Sequence, residues 1–254
     1  MLWYKSWLDT RWRFLFGLVL LFVFACGTVV AYPTVRDLAS SVSADLIAGS
    51  DDLFQELQES IDIMATFRGY AWSQWFQQNF PSLLTIFAAL LGSGSPLVRS
   101  GSGALFSLAL PVSRDRWIGS RATTGLAELF VLALVPSIAM TALAPLVGQQ
   151  FPLGDALVWG TCAFIGASVF FAIAMLLSTL VNDVWRPLLL TCLAAVAIGT
   201  VGLALPEGHG VFTAMAGGNH FADGSLPWVD LLVCVAAAAA LIYAAAATVA
   251  RRDF

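Results

Sequence analysis

The titratable residues of this 254-residue chain are few, and their placement limits the chemistry open to them. A phosphate-binding P-loop needs a lysine after a glycine-rich turn, to reach the terminal phosphates. The only lysine is Lys5, in an aromatic amino-terminal segment, so the chain cannot hydrolyse ATP by that route. His209 and His220 share one stretch with Glu207 and Asp223, but the spacing matches no familiar set of three or four converging metal ligands. Neither Glu-x-x-His nor Gly-x-Ser-x-Gly occurs, so nothing points to an intramembrane hydrolase. Cys26, Cys162, Cys192 and Cys234 form no Cys-x-x-Cys pair and read as small apolar residues of helices.

Glu128 stands apart, because it falls inside a long apolar run. Ionisable groups in such runs are costly and are usually paired or functional. Arg121 precedes it by seven residues, two helical turns on one face, which puts Glu128 about 10 Å further along the helix. One reading pairs Glu128 with Arg121, Arg11 or Arg13 near a membrane surface. The other makes it a proton- or cation-coupling site.

The elements that would position these groups are membrane helices. Hydrophobic residues make up 59% of the chain and charged residues 11%, with a mean hydropathy of +0.84, whereas soluble domains carry about 25% charged residues. Six apolar stretches approach the roughly 20 residues that a spanning helix needs: 14–32, 80–98, 123–147, 156–181, 188–205 and 226–250. The second is the weakest, since Gly92-Ser-Gly-Ser-Pro96 interrupts it. With six spans and the amino terminus inside, Lys5, Arg11, Arg13, Arg99, Arg114, Arg116, Arg121, Arg186, Arg251 and Arg252 all fall on the cytoplasmic side. Arg36 and Arg68 alone fall outside, and deleting the second span would reverse most of these assignments, against the positive-inside rule. The net charge of −4 is then mainly a property of the first outer loop and implies no nucleic-acid partner. Val23-Phe24-Ala25-Cys26 faintly resembles a lipoprotein cleavage site, but the apolar run exceeds a usual signal core, and an uncleaved helix is expected.

The expected fold is therefore an all-α membrane protein with six transmembrane helices in a single domain. Residues 1–13 read as an interfacial elbow helix, with Trp3 and Trp7 beside Arg11 and Arg13, or else simply as a flanked helix end. Residues 33–79 form an outer loop with helical apolar spacing at Leu38, Val42 and Leu46 and again from Leu53 to Met64. It is either a small outer cap or a polar connector. Residues 206–227 read as a short outer hairpin, which survives at membrane depth only where protein or water satisfies its backbone.

Residues 99–121 lie between two apolar runs. Ala104-Leu-Phe-Ser-Leu-Ala-Leu110 is a short apolar helix ended by Pro111, and Ser113 is a candidate N-cap for the next helix, with Arg114 and Arg116 in its first turn. A short apolar helix beside a basic turn suits a groove in a cytoplasmic partner. The pattern Gly-x-x-x-Phe-x-Leu-x-Leu-Pro-Val-Ser-Arg, after a Gly/Ser-rich exit from a span, resembles the membrane subunit of ATP-binding-cassette type-two (ABC-2) transporters. The resemblance extends to the elbow, the six spans, the long outer loop and the last outer hairpin. Ser100 stands where that family commonly carries an acid.

That resemblance implies a permease half-transporter that pairs with a second copy or a paralogue. It would take its energy from a separate cytoplasmic ATPase carrying the ATP and Mg, with no cofactor on this chain. It further implies that Phe106, Leu108, Leu110, Pro111, Val112, Arg114 and Arg116 make the ATPase-coupling contact. Phe80, Leu84, Phe87, Thr191 and Val196, on spans two and five, would line the pathway beside membrane lipid. The implied location is a bacterial cytoplasmic (inner) membrane with both termini cytoplasmic. Two other readings compete: a membrane sensor or assembly subunit that moves no solute, and an ATPase-independent transporter using Glu128.

Overall fold

In the computed structural model, residues 2–46, 63–94, 114–181, 183, 185–204 and 209–250 are described. They are helical apart from short turns and links. The first helix, α1 (Leu2–Leu46), runs through Pro33. Proline removes one backbone donor and crowds the carbonyl four residues back, and bonds between α1 and segment 63–70 steady this part of the helix. Tyr70 Oη donates to Thr28 O at 3.1 Å, and Tyr32 Oη donates to Ala65 O at 3.0 Å. Two expected boundaries are corrected here. The helix does not break at residue 13, so residues 2–13 are its first turns rather than a helix set apart, and it does not end at Pro33 but continues to Leu46.

A second helical run covers 67–92 in three consecutive pieces: α2 (Phe67–Tyr70), a π-helical stretch (Ala71–Asn79) and α3 (Phe80–Gly92). Thr66 caps it, accepting from Gly69 N–H. The π geometry has a local cause. Pro81 lacks an amide donor and its ring crowds the turn before it, while wider turns relieve that crowding. At the junction Phe80 N–H donates to Trp75 O, five residues back. The run stops at Gly92, and residues 95–98 of the stretch expected at 80–98 lie outside the described residues. Gly92 is needed at that end, because a Cβ there would lie 2.6 Å from Phe171 O and 2.7 Å from Ala174 Cβ.

The remaining elements are α4 (Arg114–Leu143), which tightens into a 3₁₀ turn (Ala144–Val147), α5 (Leu153–Leu180), α6 (Trp185–Leu203), the short α7 (Val211–Ala216) and α8 (Gly218–Asp223), and α9 (Trp228–Ala250). Among the described residues, five helices are long and apolar enough to cross a membrane: Ser6–Leu38, Arg116–Val147, Leu153–Leu180, Trp185–Gly202 and Trp228–Ala250.

The bundle is organised around α5, which packs against α9, α3, α4, α7 and α6. Of its apolar stretch 67% is buried inside the protein, against 17% to 39% for the other four. Small residues make this possible: Gly160 sits against Ala133, Leu134 and Ser137 of α4, and Gly166 against Val211 and Met215 of α7. In α9 the middle inward positions are likewise small, Cys234, Ala238 and Ala245, with Leu231 and Val249 buried toward the ends, while Leu232, Val233 and Val235 face outward. Packing small residues inward and large apolar residues outward is the pattern expected of helices in lipid, where close approach rather than hydrophobic collapse holds helices together.

Candidate functional site

Charged and polar side chains gather at two ends of the bundle. One end, the Glu128 pole, is built by α1, the C-terminal end of α3 and the first half of α4. The last carbonyls of any helix lack intrahelical donors and carry partial negative charge. At the end of α3 two arginines approach those carbonyls. Arg13 Nη1 donates to Leu90 O at 3.0 Å, and Arg121 Nη2 donates to Gly92 O at 3.4 Å. Ser93 Oγ adds a bond to Leu90 O at 3.1 Å. Gly94 lies between the two guanidinium groups, for a Cβ there would be 2.9 Å from Arg121 Nη2 and 3.0 Å from Arg13 Nη1.

Glu128 lies deeper in the same pole and is only 5% exposed. Its Oε1 accepts from Thr10 Oγ1 at 2.6 Å, and its Oε2 has no hydrogen-bond partner among the described residues. No arginine forms an ion pair with it there; Arg121 acts on it only through space. The pairing expected with Arg121, Arg11 or Arg13 is thus replaced by a hydroxyl from α1. The reason lies in the tertiary structure, since the end of α3 offers Arg121 and Arg13 carbonyls that only packing brings near. Arg121 Nε and Arg11 Nε are also buried without a hydrogen-bond partner among the described residues, although the Arg11 guanidinium lies 5.5 Å from the Trp12 ring centroid.

The opposite end, the Asp155 pole, joins α2, the π stretch, the start of α5 and the α7–α8 pair. Asp155 sits in the first turn of α5, where a helix favours an acid. Its Oδ2 accepts from Arg68 Nε at 2.6 Å, and its Oδ1 faces His220 Nε2 at 3.2 Å. The Arg68 guanidinium lies 5.7 Å from the Trp159 ring centroid and 5.4 Å from that of Phe221, within cation–π range. Phe221 stacks on Trp72 at 4.4 Å, with the rings 3° from parallel. Trp72 Nε1 donates to Ala216 O at 3.1 Å and Trp159 Nε1 to Gly217 O at 3.4 Å. Gly217 has a φ of 59°, a left-handed turn that lets the backbone lie against Trp159.

The sequence-derived candidates divide between these surroundings. Trp3 and Trp7 are exposed, and Arg116 is exposed on the first turn of α4. Arg114 begins α4, whereas Phe106, Leu108, Leu110, Pro111 and Val112 lie outside the described residues. Phe80, Leu84, Phe87 and Thr191 are buried within the bundle, and Val196 alone of the pathway set is exposed. Phe80 stacks on Trp75 at 5.1 Å, and Thr191 Oγ1 donates to Pro187 O at 2.7 Å. Two features escaped the sequence. Thr10 gives no signal, as a helical threonine ordinarily bonds back to its own helix. The Arg68–Asp155–His220 cluster joins residues 65 to 152 positions apart, and only the acid in the first turn of α5 hinted at it.

Among the described residues no group of three or more His, Cys, Asp or Glu is placed to hold a metal ion. Comparison with family models, with curated proteins and with solved structures returns no match for this chain.

Proposed function

We propose that this chain is the membrane subunit of an ATP-driven transporter of the ABC-2 type, working as a dimer and powered by a separate cytoplasmic ATPase. In this reading the run 67–92 is the sixth span. It supplies about 26 residues of continuous helix, enough to cross a bilayer at roughly 1.5 Å per residue. The Glu128 pole is then cytoplasmic, in keeping with its arginines. Both termini share that side, and the membrane is a bacterial inner membrane. ATP and Mg belong to the partner, because this chain has no P-loop lysine.

The observation that carries the proposal is the arginine-capped end of α3. Segment 95–113, which ends in Leu-Pro-Val-Ser just before Arg114, links that end to the start of α4. A force applied to the segment would reach α1, α3 and α4 together through Arg13 and Arg121. The test is purification of the tagged chain from its native membrane with ATP hydrolysis as readout. A vanadate-sensitive ATPase bearing a P-loop should accompany the wild type and be lost, about tenfold or more, from Phe106→Ala and Pro111→Ala variants that still fold. An unaltered complex in both variants would overturn the reading.

One observation favours a second reading, ATPase-independent transport through Glu128: its Oε2 is buried without a hydrogen-bond partner among the described residues. Uptake or efflux by vesicles containing this chain alone, abolished by Glu128→Gln, would select it.

A further inference from the structure

Between α6 and α9, capped by the start of α7, lies an open groove of about 410 Å³. Its walls are apolar along most of their length, with Ala197 and Val201 of α6 facing Val233 and Cys234 of α9. Val201 and Val233 are each 61% exposed, so the groove opens sideways, toward whatever surrounds the bundle. One end alone is polar. There His209 Nδ1 lies 3.3 and 3.4 Å from the two carboxylate oxygens of Asp230. Asp230 is on the first turn of α9, two residues after Trp228, which is 64% exposed. An exposed Trp at the end of an apolar helix marks the headgroup level of a bilayer. The polar end therefore sits at headgroup depth and the apolar walls run inward from it.

The shape is that of an amphiphile, and the polar pair specifies its head. A carboxylate only accepts hydrogen bonds, so His209 Nδ1 carries the proton shared with Asp230. Asp230 keeps lone pairs beyond those that His209 uses. They fit a cation that brings N–H donors, and a charge-assisted bond from such a donor is among the stronger ones. A quaternary ammonium has no N–H to give, and an anionic glycerol head would meet the carboxylate's charge.

We infer that this groove binds one phospholipid with a primary-amine head, its ammonium on the Asp230 carboxylate and an acyl chain between α6 and α9. The inference rests on membrane embedding and stands whether or not the chain transports anything. The groove volume is within the range of about 300–1,000 Å³ usual for bound small molecules, which suits one chain rather than a whole lipid.

Gly202 provides the test. It lines the groove, and a Cβ built on it meets nothing within 4 Å, so Gly202→Leu fills space without a clash and also favours the helix. Wild-type protein, Gly202→Leu and Asp230→Asn would be placed in bilayers of equal phosphatidylethanolamine, phosphatidylcholine and phosphatidylglycerol. Retained lipid would then be identified by native mass spectrometry. The wild type should hold one phosphatidylethanolamine, enriched about tenfold over the bilayer. Gly202→Leu should hold none, and Asp230→Asn should retain lipid without headgroup preference. Should Gly202→Leu unfold, Val201→Phe takes its place with the same expectation. Retained lipid that mirrors the bilayer in the wild type would overturn the inference. So would a preference for either other head, a groove-filling variant that keeps its lipid, or an Asp230→Asn variant that still selects the amine.

Discussion

The Asp155 pole and the Glu128 pole use the same kinds of side chain and reach opposite states of saturation. At the first, both carboxylate oxygens of Asp155 are engaged, and Arg68 is held by a charge-assisted bond and two aromatic faces. At the second, one oxygen of Glu128 takes a hydroxyl and the other takes nothing among the described residues, while both nearby arginines turn toward backbone carbonyls. A buried polar group left unpaired costs about 1–3 kcal/mol, and a low local dielectric raises the stakes of every such network. The saturated pole is thus the fixed end of the bundle. The other is the end where a proton, a partner or a change of helix position has something to gain.

The largest effect should come from breaking the saturated pole. Asp155→Ala leaves Arg68 and His220 without their shared acid. Since Arg68 is 41% exposed, the loss should be about 2–3 kcal/mol, read as a lower unfolding midpoint in detergent. Adding Arg68→Ala should cost much less than its own single effect, because the two share one interaction. Additive losses would mean that the cluster is not a unit.

A smaller effect is expected from Thr10→Val. It removes the donor to Glu128 Oε1 and keeps the side-chain volume, so stability should fall by about 1–2 kcal/mol in the same measurement. The smallest should come from Glu128→Gln. The amide oxygen can still accept from Thr10, and a buried charge disappears, so stability should change by less than about 1 kcal/mol. A loss as large as that of Asp155→Ala would erase the contrast between the poles, because it would show Glu128 to be as fully bound as Asp155.

Much of the architecture was legible in the sequence, because hydropathy marks long apolar helices whatever they pack against. The five helices that qualify as spans overlap five of the six expected stretches, with ends shifted by up to eight residues. The run 67–92 was only half legible. Its first part, Trp72-Ser-Gln-Trp-Phe-Gln-Gln-Asn79, is too polar to register as a span, and it is sheltered by α1, α5 and α7 rather than by its own composition. The outer loop was expected to begin at Pro33, yet α1 continues through it, with Tyr70 bonding in from another helix and Tyr32 of α1 bonding out to Ala65. Glu128 was singled out as an unusual acid, related by helical spacing to Arg121 and by topology to Arg11 and Arg13, but neither pointed to a hydroxyl. Its actual partner, Thr10, comes from 118 positions away.

The encasement of α5 has a consequence for how its sequence can be read. A helix with one lipid face and one protein face has an orientation that periodicity reveals. A helix packed against five neighbours has little of it, and hydrophobicity around it is close to uniform. What distinguishes its faces is volume. Ala156, Gly160, Ala163 and Ala167 make one thin edge, and Trp159, Phe170, Phe171 and Met175 fill the space elsewhere. In α5 the position of each neighbour is encoded in the size of the residue that meets it, as teeth on a key are cut to the pins of one lock.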